Sequence, residues 1–295
     1  MKRHRLYAGA VWVGLGLILI LSGCGPQDTQ TVAAPPNVTP PPEARPAPSQ
    51  PALRVGMAPN YPPIVFKEAG RITGLEAEFA RGLEGELGRR IELVELEWEG
   101  LIPALEAGQI DVIMAGMSIT EERARRVRFV EPYLQVGQMS IIRKADRLQL
   151  GSPALLALTR RRVGFVAGTT GAAYVQEHLP QAEHVSLSST DEGLQALRTG
   201  TIDAFIHDAV TAWRMGEQES SDTLTTSFSP LTEEHLAWAV RQTDDDLYRD
   251  LSGVLERWRR SGYLQEMFRK WLSRQFVPPR PVGLHVPFDI FDQIA

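Results

Sequence analysis

Ala104-Leu105-Glu106-Ala107-Gly108-Gln109-Ile110-Asp111 is answered 92 residues later by Ala196-Leu197-Arg198-Thr199-Gly200-Thr201-Ile202-Asp203. In both copies a helical pattern runs into a glycine, where a left-handed cap costs little, and the chain drops directly into a strand. A second echo accompanies the first: Arg54-Val55-Gly56 returns as Arg162-Val163-Gly164. Two echoes in the same order predict two similar lobes.

Outward from these stretches, short apolar runs alternate with helical patterns from Leu53 onward, which marks an α/β fold. A strand is expected at 53–57. Leu75, Phe79, Leu83 and Leu87 recur at four-residue spacing and place one apolar stripe on a helix ending at Gly88. Strands at 92–98 and 111–115 flank a short helix at 102–107. Towards the C-terminus, Leu247, Leu251, Val254, Leu255 and Trp258 have helical spacing behind an acidic first turn at 244–246. A second amphipathic helix follows the break at Gly262. Strands at 139–143 and 235–241 bracket the second lobe, so two crossings join the lobes and the cleft between them closes by hinge bending. The expected division is lobe 1 at 53–142 plus 234–276 and lobe 2 at 143–233. Residues 277–295, with Pro278, Pro279 and Pro281, form an extension outside this pattern.

The chain has 295 residues, 43% of them hydrophobic, enough for one or two sizeable cores. Its first residues are of another kind. Lys2, Arg3 and Arg5 precede an uncharged apolar run at 6–21, and Ser22-Gly23 lead into Cys24, the single cysteine. This is the layout of a secretory signal, 1–23, with an apolar run shorter than a comfortable membrane span. Leu21-Ser22-Gly23-Cys24 resembles the bacterial lipobox, whose cysteine is diacylated and becomes the new N-terminus. Cys24 has no intramolecular disulfide partner. Residues 25–52 hold nine prolines among small and polar residues, so 24–52 reads as an extended tether of roughly 85 Å at about 3.1 Å per residue. Without 1–23, Lys and Arg fall from 31 to 28 against 36 Asp and Glu, a balance of −8. An acidic body argues against nucleic acid as a partner.

Three loops follow strands at places where α/β folds gather ligands. In Gly116-Met117-Ser118-Ile119-Thr120-Glu121-Glu122-Arg123, small residues expose backbone groups, Thr120 is a fitting N-cap, and Arg123 lies one turn in. Gly168-Thr169-Thr170-Gly171 precedes a helix whose free amides favour an anion. His207-Asp208 ends a strand. One guanidinium, one helix N-terminus and one carboxylate suit a zwitterion. Read singly, each has a plainer reading: a solvated arginine in a run of four, an ordinary strand–helix turn, a helix-capping aspartate.

The span from Leu53 to about Phe276 resembles the family 3 bacterial solute-binding proteins, the amino-acid receptors of ABC importers. The resemblance is carried by 74–88, Trp98-Glu99-Gly100-Leu101-Ile102-Pro103-Ala104-Leu105, 115–133, 168–171, 202–208 and Gly262-Tyr263 through Lys270-Trp271. It implies a type II periplasmic-binding-protein fold: two lobes, each a mixed sheet flanked by helices, with two crossover strands as the hinge. It also implies that Arg123, with the amides of Ser118 and Thr170, holds an α-carboxylate. Asp208, the Ser118 hydroxyl and the Gly116 carbonyl would hold the α-ammonium, and Tyr61 and Trp98 would sandwich the side chain. His207 resembles the histidine that reaches the ligand in glutamine-binding members. Family members for basic amino acids tend to carry an acid at the position of Ala58, so the resemblance favours a neutral polar ligand, unless Glu68 or Glu99 substitutes. The expected whole is a monomeric, lipid-anchored, extracytoplasmic receptor serving an ABC permease, with no cofactor and no metal. Two rivals share the scaffold: a cyclohexadienyl dehydratase type of enzyme, whose glutamate position is occupied by Thr211, and a ligand-sensing module.

Overall fold

The computed structural model of the chain describes residues 51–218, 223–227 and 229–272. Cys24, most of the tether and the 277–295 extension lie outside the described residues. Ten of the strands form two five-stranded sheets. The first runs Ile91–Glu95, Leu53–Met57, Val112–Ile113, Ala239–Arg241, Val127–Phe129, parallel across its first three strands and antiparallel thereafter. The second runs Glu183–Leu187, Arg162–Val166, Ala204–Asp208, Gln138–Arg143, Leu224–Thr226, and changes sense at the same place in the order.

The echo in the sequence is an echo in space. Arg54 forks onto Asp111 through Nε and Nη2 at 3.1 and 2.8 Å, and its amide donates to the same carboxylate at 3.0 Å. Arg162 repeats all three bonds on Asp203, at 3.1, 3.1 and 3.2 Å. Each glycine two residues on lies so close to the isoleucine before the aspartate, Gly56 to Ile110 and Gly164 to Ile202, that a Cβ would collide with it. A second arginine completes each clamp from the strand beside it. Arg241 donates to the Ile110 carbonyl at 2.6 Å and to Asp111 at 3.2 Å. Arg143 donates to the Ile202 carbonyl and to Asp203, both at 2.7 Å. The expected caps are present too, with Gly108 and Gly200 left-handed at φ 69° and 75°.

The lobes differ in what covers their sheets. On one face of the first, helices Leu75–Leu87, Asp245–Ser261 and Tyr263–Trp271 pack around Phe79, whose ring meets those of Tyr133, Trp238, Trp258 and Phe268 within about 6.5 Å. The opposite face is closed by the short helix Leu101–Glu106 over Ile110, Ile113 and Ala239. The second sheet is covered by Thr170–His178 on one side and Thr190–Thr199 on the other.

Several boundaries depart from the sequence expectation. The strand expected through 98 stops at Glu95, and Trp98–Gly100 forms a single 3-10 turn that carries the indole off the sheet. Val112–Ile113 is shorter than 111–115, because from Met114 the chain turns into the loop that holds Gly116 and Ser118. The run at 235–241 divides: Glu234–Leu236 pairs antiparallel with Leu134–Val136, and only Ala239–Arg241 enters the first sheet. Those two short paired strands are the crossings. Gln138–Arg143 accordingly belongs to the second sheet, which begins at Gln138 rather than at the expected 143.

Candidate functional site

Ser118 reaches the crossing strands through its backbone. It bridges Leu236, while the Ile119 amide donates to the His235 carbonyl at 2.9 Å and the Ala237 amide to the Met117 carbonyl at 3.0 Å. This strip pins the 116–123 loop of the first lobe against the hinge. Gly116 is required there. Its φ is 68°, and a Cβ would come within 2.7 Å of the Tyr61 ring. The Thr120 hydroxyl caps the turn Glu121–Ala124 by accepting from the Arg123 amide at 3.2 Å. Arg123 therefore starts from a fixed backbone, and its guanidinium donates to the carbonyls of Ser118 at 2.8 Å and Gly168 at 3.1 Å.

From the second lobe come one helix N-terminus and two strand ends. Thr169 caps the helix Thr170–His178 by accepting from the Ala172 amide. Asp208 ends the strand Ala204–Asp208, and Gln138 starts the antiparallel strand opposite it. The Gln138 side-chain amide donates both to the Asp208 carboxylate and to the Thr170 hydroxyl. Burial, followed by a neighbouring carboxylate at Glu234, pushes the Asp208 carboxyl up to about 7, against the opposing pull of Tyr61, Gln138 and Arg123. Burial likewise lowers the Arg123 pKa, while Glu234 and Asp208 work to raise it. The Tyr61 hydroxyl is buried without a well-formed hydrogen bond, and burial beside Asp208 pushes its pKa well above the usual phenol value.

All eight expected residues are gathered where the lobes meet. Trp98 of the first lobe donates from Nε1 to the Gly168 carbonyl at 2.9 Å, and the Arg123 guanidinium lies 5.2 Å from its ring centre. Tyr61 leans on His207, with ring centres 5.3 Å apart. Beside Arg123 and Thr170 a cavity of about 450 Å³ opens, lined also by Trp98, Glu99, Met117 and Gln176.

His207 departs from its expected part. Its Nδ1 accepts from the Asp208 amide at 2.8 Å, so the proton is on Nε2, which bonds the Thr190 hydroxyl at 2.8 Å. Both ring nitrogens are spent on the protein, and burial lowers the imidazole to about 4. The ring thus stays neutral and orients Asp208 instead of reaching outward.

Two site residues escaped the sequence reading. One is Gln138. The other is Glu234, whose Oε2 accepts from the Ser118 and Thr170 hydroxyls at 2.6 and 2.7 Å, and whose Oε1 accepts from Thr232 at 2.7 Å. Beneath the loop lies a further acid, Glu76, fully buried on the helix Leu75–Leu87. It accepts from the Tyr133 hydroxyl and interacts with the Gly116 amide, and burial pushes it up to about 8. Among the described residues, no group of three or more His, Cys, Asp or Glu is placed to hold a metal, and no helix is long and apolar enough to cross a membrane.

Residues 53–274 match the model of the bacterial extracellular solute-binding proteins, family 3. Over 222 residues the chain is 26% identical to the L-cystine-binding protein TcyJ of Escherichia coli K12, a match covering 75% of this chain and 82% of that protein. Among solved structures, an ancestral arginine-binding protein bound to arginine aligns with a TM-score of 0.71 and 28% identity, over 76% of this chain and 99% of the other. The ancestral amino acid-binding protein AncCDT-1, a precursor of cyclohexadienyl dehydratase, aligns with a TM-score of 0.70 and 30% identity, over 75% and 95%.

Proposed function

The chain belongs to family 3 of the bacterial extracellular solute-binding proteins, and from that premise we propose that it is a lipid-anchored receptor delivering a free amino acid to an ABC importer. The single observation that carries this reading is the meeting of a guanidinium and a carboxylate from opposite lobes. Arg123 and Asp208 are close enough to shift each other's proton affinity in a buried cleft. A zwitterion offers each its counter-charge. The α-carboxylate is assigned to Arg123 with the amides of Ser118 and Thr170. The α-ammonium is assigned to Asp208, helped by the Ser118 hydroxyl and the Gly116 carbonyl. Tyr61 and Trp98 are assigned to the side chain, Trp98 lining the cavity that would take its far end and Tyr61 standing outside that cavity against His207. His207 is assigned the support of Asp208. The lobes 53–137 plus 234–272 and 138–233 close around the ligand, and the closed form engages the permease as a monomer.

Magnitudes support this division of labour. Unit charges about 4 Å apart at an effective dielectric near 20 interact by roughly 4 kcal/mol before desolvation, and micromolar binding needs about 8 kcal/mol. Two such pairs supply the common anchor and leave the side-chain contacts to select among amino acids.

The dehydratase reading needs a general acid at the leaving hydroxyl. Thr211 stands in the position that the resemblance assigns to that acid, and its hydroxyl is directed at the Pro62 carbonyl at 3.3 Å. A threonine cannot serve as that acid at neutral pH, so binding without turnover is the assigned activity. Calorimetric titration of the chain, freed of ligand by unfolding and refolding, against the twenty amino acids tests the reading. Saturable one-to-one binding by some of them supports it. Silence across the panel from folded protein, or turnover of prephenate or arogenate, removes it. Anchoring at Cys24 is tested separately by metabolic labelling with palmitate, which is expected to mark the chain and to be lost in Cys24→Ala.

A further inference from the structure

The cleft centre holds one more negative charge than a zwitterion can use. Glu234 stands on the crossing strand Glu234–Leu236, where both lobes touch it: Ser118 from the first and Thr170 from the second donate to one oxygen, and Thr232 donates to the other. Three hydroxyls thus hold this carboxylate in place as their shared acceptor. It lies near enough to Asp208 and Arg123 to bias the charge of both. Once a ligand ammonium has displaced the proton of Asp208, two carboxylates face a single guanidinium. An α-amino acid with a neutral side chain adds no net charge, so one carboxylate of this half-buried cleft would remain without a cationic partner.

The cavity beyond has the same bias. Glu99 and Glu122 line it, and its second cation besides Arg123, Arg126, is already forked onto Glu106 at 2.9 and 2.6 Å. The preference for a neutral ligand rested on Ala58, where the resemblance places an acid in receptors for basic amino acids. The hinge supplies an acid from another direction.

We infer that Glu234 sets the ligand class of this receptor, and that the class is an α-amino acid carrying a second positive charge, with a primary ammonium or a guanidinium on its side chain. This rests on the amino-acid receptor reading and deepens it. The hydroxyls of Ser118, Thr170 and Thr232 hold the Glu234 carboxylate in place, so that its charge is preorganised and need not be recruited on binding.

Arginine and citrulline are nearly the same shape and differ in charge, so their comparison isolates the effect. Titration of the ligand-free chain with arginine, citrulline, lysine, ornithine and glutamine is expected to show at least one cationic member binding about tenfold or more tighter than citrulline and glutamine, a difference of about 1.4 kcal/mol. In Glu234→Gln, which keeps the size and an acceptor oxygen, the ratio is expected to fall to about threefold or less. Two outcomes overturn the inference while leaving the receptor reading intact. They are a neutral amino acid binding tighter than every cationic one, and an unchanged ratio in folded Glu234→Gln. An unchanged ratio with an equal gain for all ligands would make Glu234 a stand-in occupying the ligand's hydroxyls. If the variant does not fold, the ratio of the tightest cationic ligand to citrulline and glutamine in the unsubstituted chain decides the ligand class alone. Silence towards every amino acid overturns the receptor reading and this inference together.

Discussion

Arg123 is held by its own lobe at Ser118 and by the other at Gly168, so its charge is positioned before any ligand arrives. Arg123→Ala is expected to weaken binding by roughly 2–5 kcal/mol, because the variant leaves a buried ligand carboxylate without its partner. A change under about threefold, measured by titration with the identified amino acid, would remove Arg123 from the site. Asp208 sets a pH dependence. Its carboxyl is raised to about 7, above the ordinary aspartate value, so protonation of the folded chain is favoured at low pH and that contribution to stability is lost as pH rises through about 7. Binding an ammonium needs the ionised form. Affinity is therefore expected to fall as pH drops below about 7, by up to about tenfold per unit, with a proton released on binding near neutrality. The groups facing Asp208 are Glu234, Tyr61, Gln138 and Arg123. His207, lowered to about 4, does not titrate in this range. Affinity that stays level between about pH 5 and about pH 8, followed by calorimetry in buffers of different ionisation enthalpy, would contradict the assignment. Arg123 and Asp208 were legible in the sequence because each belongs to a local strand–loop motif. Glu234 was not. Apart from Thr232, its contacts come from residues 116 and 64 positions away, and beside Glu233 it reads as surface.

Helix Thr190–Thr199 shows packing overruling propensity. Gly193 lies in its interior and is buried against the Phe205 ring, and a Cβ there would collide with three atoms of that ring. Helix propensity alone makes Gly193→Ala stabilising by about 1 kcal/mol. Phe205 is fully buried in the centre of the second sheet and has nowhere to retreat, so a net loss of roughly 1–3 kcal/mol is expected in urea unfolding. A gain in the unfolding midpoint would show that the core yields more readily than its packing implies. What could be read of such elements was their punctuation. The caps at Gly88, Gly108 and Gly200 fall where the apolar periodicity stops, because a left-handed residue after a helix has few alternatives to glycine. Strand ends were harder. The apolar run through Leu96 invites a strand through Trp98, but the sheet ends at Glu95 and the indole is needed at the Gly168 carbonyl, a tertiary demand with no local signal.

Two clamps of the same build stand in the two sheets. In each, an aspartate before a central strand takes a forked arginine from the neighbouring parallel strand and a second arginine from the antiparallel one. The first arginine is visible in the sequence as the Arg-Val-Gly echo. The second is not, because Arg143, which serves the second aspartate, precedes Arg241, which serves the first, so the pair runs in the order opposite to the aspartates and leaves no constant offset. Burial alone would raise both carboxyls, but Arg54 with Arg241, and Arg162 with Arg143, outweigh it and hold them below the usual aspartate value. A lowered folded pKa means that the stabilisation is present above the unfolded value, near 4, and is lost as pH falls through the folded one. Asp111→Asn and Asp203→Asn each keep the shape and remove the charge. Near neutral pH each is expected to cost about 1.5–3 kcal/mol in denaturant unfolding, the worth of hydrogen bonds to a charged group. The clamps share no partner and lie in separate sheets, so the double variant is expected to lose the sum to within about 0.5 kcal/mol. Towards about pH 3 the gap between each variant and the parent chain is expected to narrow, because the parent's aspartate then begins to protonate. A gap that is constant with pH would mean that the clamps act through shape alone. A double loss well beyond the sum would mean that each lobe is supported by the other's clamp, and that the hinge transmits stability as well as motion.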